Sequence, residues 1–129
     1  MRLEPLCTID LGAPEDEASA RAPGATEGTG LVMGDGAVSG ERLSGALRYS
    51  RRVLTRGDGY GEVELQGLVT TAAGAPITLR ASGNADATGW SILTVSFQAQ
   101  DGDHRWLNGA ICLAEGANRL AVSVASQSA

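Results

Sequence analysis

The chain has 129 residues, the size of one domain around one core. Apolar residues make up an ordinary 43%, but aromatics reach only 4% and glycines number 18, a mixture that suits short strands broken by turns and excludes a coiled coil or a disordered chain. The net charge of −5, with both signs mixed along the sequence, repels phosphate backbones and argues against a nucleic-acid partner.

No run approaches the roughly 18 apolar residues of a membrane span, so no membrane partner is expected. The opening Met1-Arg2-Leu3-Glu4-Pro5 lacks a signal peptide's apolar stretch, and the chain reads as cytoplasmic. Cys7 and Cys112 have no metal-ligand spacing and read as buried free thiols.

In chain order, Leu3, Pro5, Cys7, Ile9 and Leu11 alternate with Glu4, Thr8 and Asp10, the period of a strand with one buried side. Gly12 to Gly30 breaks that pattern. It is rich in Ala, Gly, Pro and acidic residues, and predicts a flexible acidic loop or lid over about 12–30. Leu31 to Met33 and Ala37 to Ser39 predict short strands separated by a turn at Gly34-Asp35-Gly36. Leu43 to Tyr49 alternates, and Arg51 to Thr55 runs into the tight-turn signal Gly57-Asp58-Gly59. Val63 to Val69 alternates up to the turn Ala72-Ala73-Gly74, which leads to Ile77, Leu79 and Ala81. Trp90 to Gln100, Arg105 to Ala114 and Leu120 to Val124 supply three more strands, joined at Asp101-Gly102-Asp103 and at Glu115 to Asn118.

Short turns and no long crossovers predict an all-β fold, a single antiparallel meander barrel of about eight to ten strands over residues 1–129. Closure removes the edges of so large a sheet; a two-sheet sandwich is the alternative.

Several pieces resemble a known family. Leu3-Glu4-Pro5-Leu6, Gly34-Asp35-Gly36 followed by Gly40 to Gly45, Arg56-Gly57-Asp58-Gly59 with Glu62, Glu64 and Thr71 to Gly74, and Trp106-Leu107-Asn108 fall in the order seen in the bacterial domain-of-unknown-function family numbered 3237. The resemblance covers most of the chain. It implies a calycin-like barrel, usually oligomeric, with an interior that solvent reaches, and a mostly unassigned activity. Glu64 occupies a place where that family keeps an acidic residue. Where many members carry an Asp-Trp pair after the glycine hairpin, this chain has Arg51-Arg52, and its opening loop is shorter and acidic.

Candidate chemistry is sparse. His104 is the single histidine and sits beside a hairpin turn, so neither a triad nor a metal site is expected, and the glycine clusters lack the strand-to-helix context of a phosphate loop. No cofactor is expected. Glu62 and Glu64 share one face of a strand: with Gln66 they make a solvated outer face, or they point inward as an acid pair with raised pKa. Arg48, Arg51, Arg52, Arg56 and Arg80 form a basic group that pairs with surface carboxylates or holds a ligand carboxylate or enolate. If residues 105–114 form a strand, Trp106 and Asn108 share a face opposite Leu107, Ile111 and Leu113, and that face is either a pocket wall or a subunit contact.

Two functions follow. In the first, the barrel is a cofactor-independent cyclase or isomerase, of cycloaddition type among the options, that folds an apolar natural-product-like substrate in its cavity. Glu64, Asn108 and Tyr49 are then the catalytic candidates, and Trp106, Arg80 and Trp90 the substrate-binding ones. In the second, it is a non-catalytic ligand-binding or structural barrel. Strands apolar on both faces, as at Ile92 and Leu93, predict a homodimer or higher homo-oligomer.

Overall fold

In the computed structural model of the chain, residues 2–20 and 28–126 are described, with 14–20 and Ser126 described by backbone alone. The strands are β1 (Arg2–Asp10), β2 (Pro14–Ala20), β3 (Gly28–Ser39), β4 (Gly45–Thr55), β5 (Gly61–Thr70), β6 (Pro76–Ala85), β7 (Ser91–Ala99), β8 (Cys112–Gly116) and β9 (Arg119–Ser126). One turn of 3-10 helix, Arg105–Gly109, precedes β8. Each strand from β3 to β9 pairs antiparallel with the next, β9 returns to β1, and β1 closes on β3 through Thr8 to Asp10 opposite Ala37 to Ser39. The result is a closed barrel of eight strands. β2 continues β1 past a kink at Gly12 (φ 62°) and pairs with the first half of β3.

Period-two alternation explains which residues fill it. In β7 every odd residue from Ser91 to Ala99 is buried and every even one exposed, so one face packs inward and the other meets water. The same parity puts Leu47 and Tyr49, Val63 and Leu65, and Ile77 and Leu79 inside. At the end where β7 joins β8, Leu43 and Leu107 (1% and 0% exposed) close the interior, with Val69 and Ile77 packed beneath. Burying each such side chain contributes about 1.5–3 kcal/mol.

Several expectations change. Gly34-Asp35-Gly36 is not a turn but the middle of one twelve-residue strand. Gly34 stands opposite the bulky Tyr49, and a Cβ on Gly36 would run into the Asp10 carbonyl, where β1 crosses to close the barrel. Those glycines therefore serve close approach rather than chain reversal. The irregular segment expected from Gly12 to Gly30 is mostly strand, β2 and the start of β3; residues 21–27 lie outside the described residues. A bulge between Pro5 and Cys7 resets the phase of β1, so Leu6 and Cys7 are both buried and Leu3 is exposed. Cys7 lies opposite Val122 and Cys112 opposite Val124, which places β9 between the two thiols. Two strand spacings of ~4.8 Å put their backbones beyond the roughly 7 Å limit for a disulfide, and both cysteines are free and buried.

Candidate functional site

The six residues singled out from sequence do not assemble inside the barrel. Glu64 and Arg80 lie on the outer faces of β5 and β6, both exposed. They border one shallow outer groove with Gln66, Ser82, Thr94 and Ser96, a gap between outward side chains of a twisted sheet. Glu64 is bonded by Arg52 at 2.5 Å, with both side chains more than half exposed. The inward acid pair is thus corrected to a solvated ion pair, which contributes at most about 1 kcal/mol.

Residues 105–111 are not a strand, which overturns the face assignment for Trp106 and Asn108. Leu107 is the buried residue of the 3-10 turn, while Ile111 is 65% exposed. The Asn108 side chain mimics a peptide: its Oδ1 accepts from the Ala99 N–H at 2.6 Å and its Nδ2 donates to the Ala99 carbonyl at 2.9 Å. Both ends of the amide are thus engaged on the last residue of β7, where β8 has not yet begun. Trp106 is half-buried against the core, and the Arg42 guanidinium stacks 3.8 Å from its ring centroid. Together they seal the end of the barrel that Leu107 fills. Trp90 ends the tight hairpin between β6 and β7, where Asp86 accepts its N–H at 3.1 Å, and its ring is 50% exposed on the outer surface. His104, the single histidine, meets Asp101 at 2.6 Å next to that sealed end.

Tyr49 is the one candidate inside. It is flanked across the sheet by Gly34 and Gly67, which leave room for the ring. Its hydroxyl donates to the Leu11 carbonyl at 2.8 Å. Burial pushes its pKa up, and the neighbouring Arg51 charge opposes that shift. A phenol already donating to a buried carbonyl is held in place, not poised to deliver a proton.

The opposite end of the barrel is different. Inward positions there are only half-buried along Gly28, Gly30 and Val32 of β3 and along Arg51, Val53 and Thr55 of β4. A Cβ built on Gly30 would meet nothing within 4 Å, so open space lies in front of it. Arg51 projects from this inward face between Val32 and Leu65, its partners on the neighbouring strands. Its Nε is buried and has no hydrogen-bond partner among the described residues. The outward arginines of the same strand and turn are paired: Arg48 with Asp35 (3.5 Å), Arg52 with Glu64, and Arg56 with Asp58 (3.4 Å). Strand parity thus splits the basic group: Arg48, Arg52 and Arg56 lie outside and are paired, Arg80 lies outside on β6 with no ion pair among the described residues, and Arg51 is the cation facing in. The site is apolar below, at Leu65 and Leu47, small-walled at Gly30, and carries a fixed positive charge.

In sequence, Arg51 stands within a basic group for which a ligand carboxylate is one of two readings, and nothing there singles it out from Arg48, Arg52, Arg56 and Arg80. The signal was available, since Leu47 and Tyr49 set the inward parity of β4 and Arg51 continues it.

No family model matches the chain, and no curated protein matches it. Solved structures do. A protein of unknown function from Clostridium acetobutylicum ATCC 824 superposes with a TM-score of 0.85 at 15% identity, covering 98% of this chain and 100% of that one. An enzyme from Penicillium herquei gives 0.81 at 18% identity, over 95% and 92%. A β-barrel-like protein from Acinetobacter baumannii AYE gives 0.75 at 18% identity, over 95% and 93%. At these identities the likeness establishes the barrel fold. Among the described residues, no helix is long and apolar enough to cross a membrane.

Proposed function

We propose that this barrel takes a small, mostly apolar organic molecule into its open end and rearranges it there, as a cyclase or isomerase. The observation that carries the reading is the asymmetry of the interior. One end is filled by Leu43, Leu107, Val69 and Ile77, while the other leaves Gly30, Val32, Arg51 and Val53 within reach of solvent. Concave apolar walls with few polar groups are how proteins hold small ligands. Cyclisation and isomerisation are well served by such a place, because shape and exclusion of water supply much of the rate and a fixed charge stabilises a developing oxyanion. The barrel-shaped enzyme from Penicillium herquei supports catalysis on this fold. The resemblance to the family numbered 3237, with its solvent-reached interior, supports the same reading.

Gly30→Phe tests it. The Gly30 backbone does not have positive φ, so a side chain is tolerated there, and a ring would occupy the open space. The neutral fluorophore N-phenyl-1-naphthylamine should bind the parent saturably and the variant at least tenfold more weakly, with melting temperature little changed. Equal binding to both would refute an open interior. A second reading, a structural subunit, draws on the outer apolar groove bounded by Tyr60, Trp90 and Ile92 (48%, 50% and 61% exposed).

A further inference from the structure

We infer that the ligand of the open end carries a carboxylate, and that Arg51 is the residue that receives it; this rests on the reading of the interior as a binding site. A guanidinium keeps its charge in any protein environment, so burial cannot neutralise it as it would a lysine or a histidine. A guanidinium N–H buried without an acceptor is costly, and natural chains keep such groups paired. Here the neighbours on the inward face offer nothing. Val32 and Leu65 flank Arg51 across the sheet, and Val53 follows it on its own face. The phenol below is turned to Leu11 and makes no hydrogen bond to the Arg51 Nε. The nearest arginines of β4, facing out, each have a carboxylate of this chain. Arg51, facing inward on β4, has a buried Nε with no acceptor among the described residues.

The geometry also sets the ligand's shape. The guanidinium fork matches two coplanar oxygens, and a carboxylate fills it with two parallel hydrogen bonds. Beyond the fork, Val32, Val53 and the space before Gly30 accept an apolar body without competing polar contacts. The ligand class is therefore an apolar acid, its carboxylate held inside and its body lying along β3 and β4. Arg51 acts as a positioning residue: it fixes one end of the molecule so that the rest folds against the walls.

The test compares 2-naphthoate, 2-naphthalenemethanol and 2-naphthylmethylammonium by calorimetric titration against the parent, Arg51→Met and Arg51→Lys. The parent should prefer naphthoate over the alcohol by tenfold or more and should reject the ammonium. Arg51→Met should bind acid and alcohol alike, and melt at a higher temperature because the buried Nε–H without an acceptor is gone. Arg51→Lys should keep part of the preference, since it retains the charge and loses the fork. Equal binding of acid and alcohol to the parent, or an unchanged preference in Arg51→Met, overturns the carboxylate assignment and leaves the cavity standing. Failure of all three compounds to bind the parent overturns both readings together.

Discussion

Removing one oxygen from Tyr49 separates a structural phenol from a catalytic one. The Tyr49 side chain is 6% exposed and its hydroxyl donates at 2.8 Å to the carbonyl of Leu11, itself 1% exposed. Leu11 lies at the point where β1 gives way to the kink at Gly12, so this bond ties the closing strand of the barrel to β4. Tyr49→Phe keeps the ring between Gly34 and Gly67 and deletes only the donor. The carbonyl is then buried without a partner, which costs about 1–3 kcal/mol. For a chain of this length, each kcal/mol moves the melting temperature by about 3–4 °C, so the expected fall is about 3–12 °C. Thermal unfolding followed by circular dichroism measures it. Ligand binding by the folded protein should persist, because the hydroxyl points at Leu11 and not at the open end. A variant as stable as the parent that has lost turnover would refute the structural role and restore Tyr49 as a catalytic group.

Two further outcomes are expected. Burial, with a smaller contribution from Cys112, pushes the Cys7 thiol up from 9.0 to about 12; because the folded value lies above the unfolded one, the stabilisation is whole below pH 9 and is lost as pH rises toward 12. The ten basic residues are all arginine, so no lysine titrates in that window; Cys7→Ala should flatten the loss of stability between pH 9 and 11 in urea titrations, and an unchanged slope would remove the thiol as its cause. The exposed Tyr60, Trp90 and Ile92 predict a dimer; light scattering at tens of micromolar should give twice the 13.2 kDa chain mass, Ile92→Glu should return it to one, and a monomeric parent ends the idea.

The barrel was legible because its inward face keeps period two through consecutive strands, and a run such as Ile92 to Gln98 allows no other phase. What misled were glycines and a single leucine. Gly34 and Gly36 carry the composition of a turn, yet they are strand residues whose missing side chains let Tyr49 and the β1 backbone approach. Local composition reports that a Cβ is absent; only the tertiary neighbour says why. Likewise Trp106 to Cys112 alternates as a strand would, but Leu107 gains more from plugging the barrel end than from lying on its wall. The 3-10 turn that puts it there is held by Asn108 on Ala99, a bond between residues nine apart whose formation no periodicity announces.

The site was less legible for a related reason, and Arg51 shows why. Proximity in sequence groups the charged side chains as if β4 were a line, when it is a ribbon with two sides. Counting parity from Leu47 separates Arg48 and Arg52, which meet carboxylates outside, from Arg51, which does not. The same count applied to β5 from Val63 and Leu65 sends Glu64 outward, so the carboxylate most attractive as chemistry leaves the interior while Arg51 faces it. Polarity alone suggests which side chains can react. In a barrel, the parity of the strand decides which of them the ligand can meet, and on β4 that leaves Arg51 facing in, its Nε without an acceptor among the described residues.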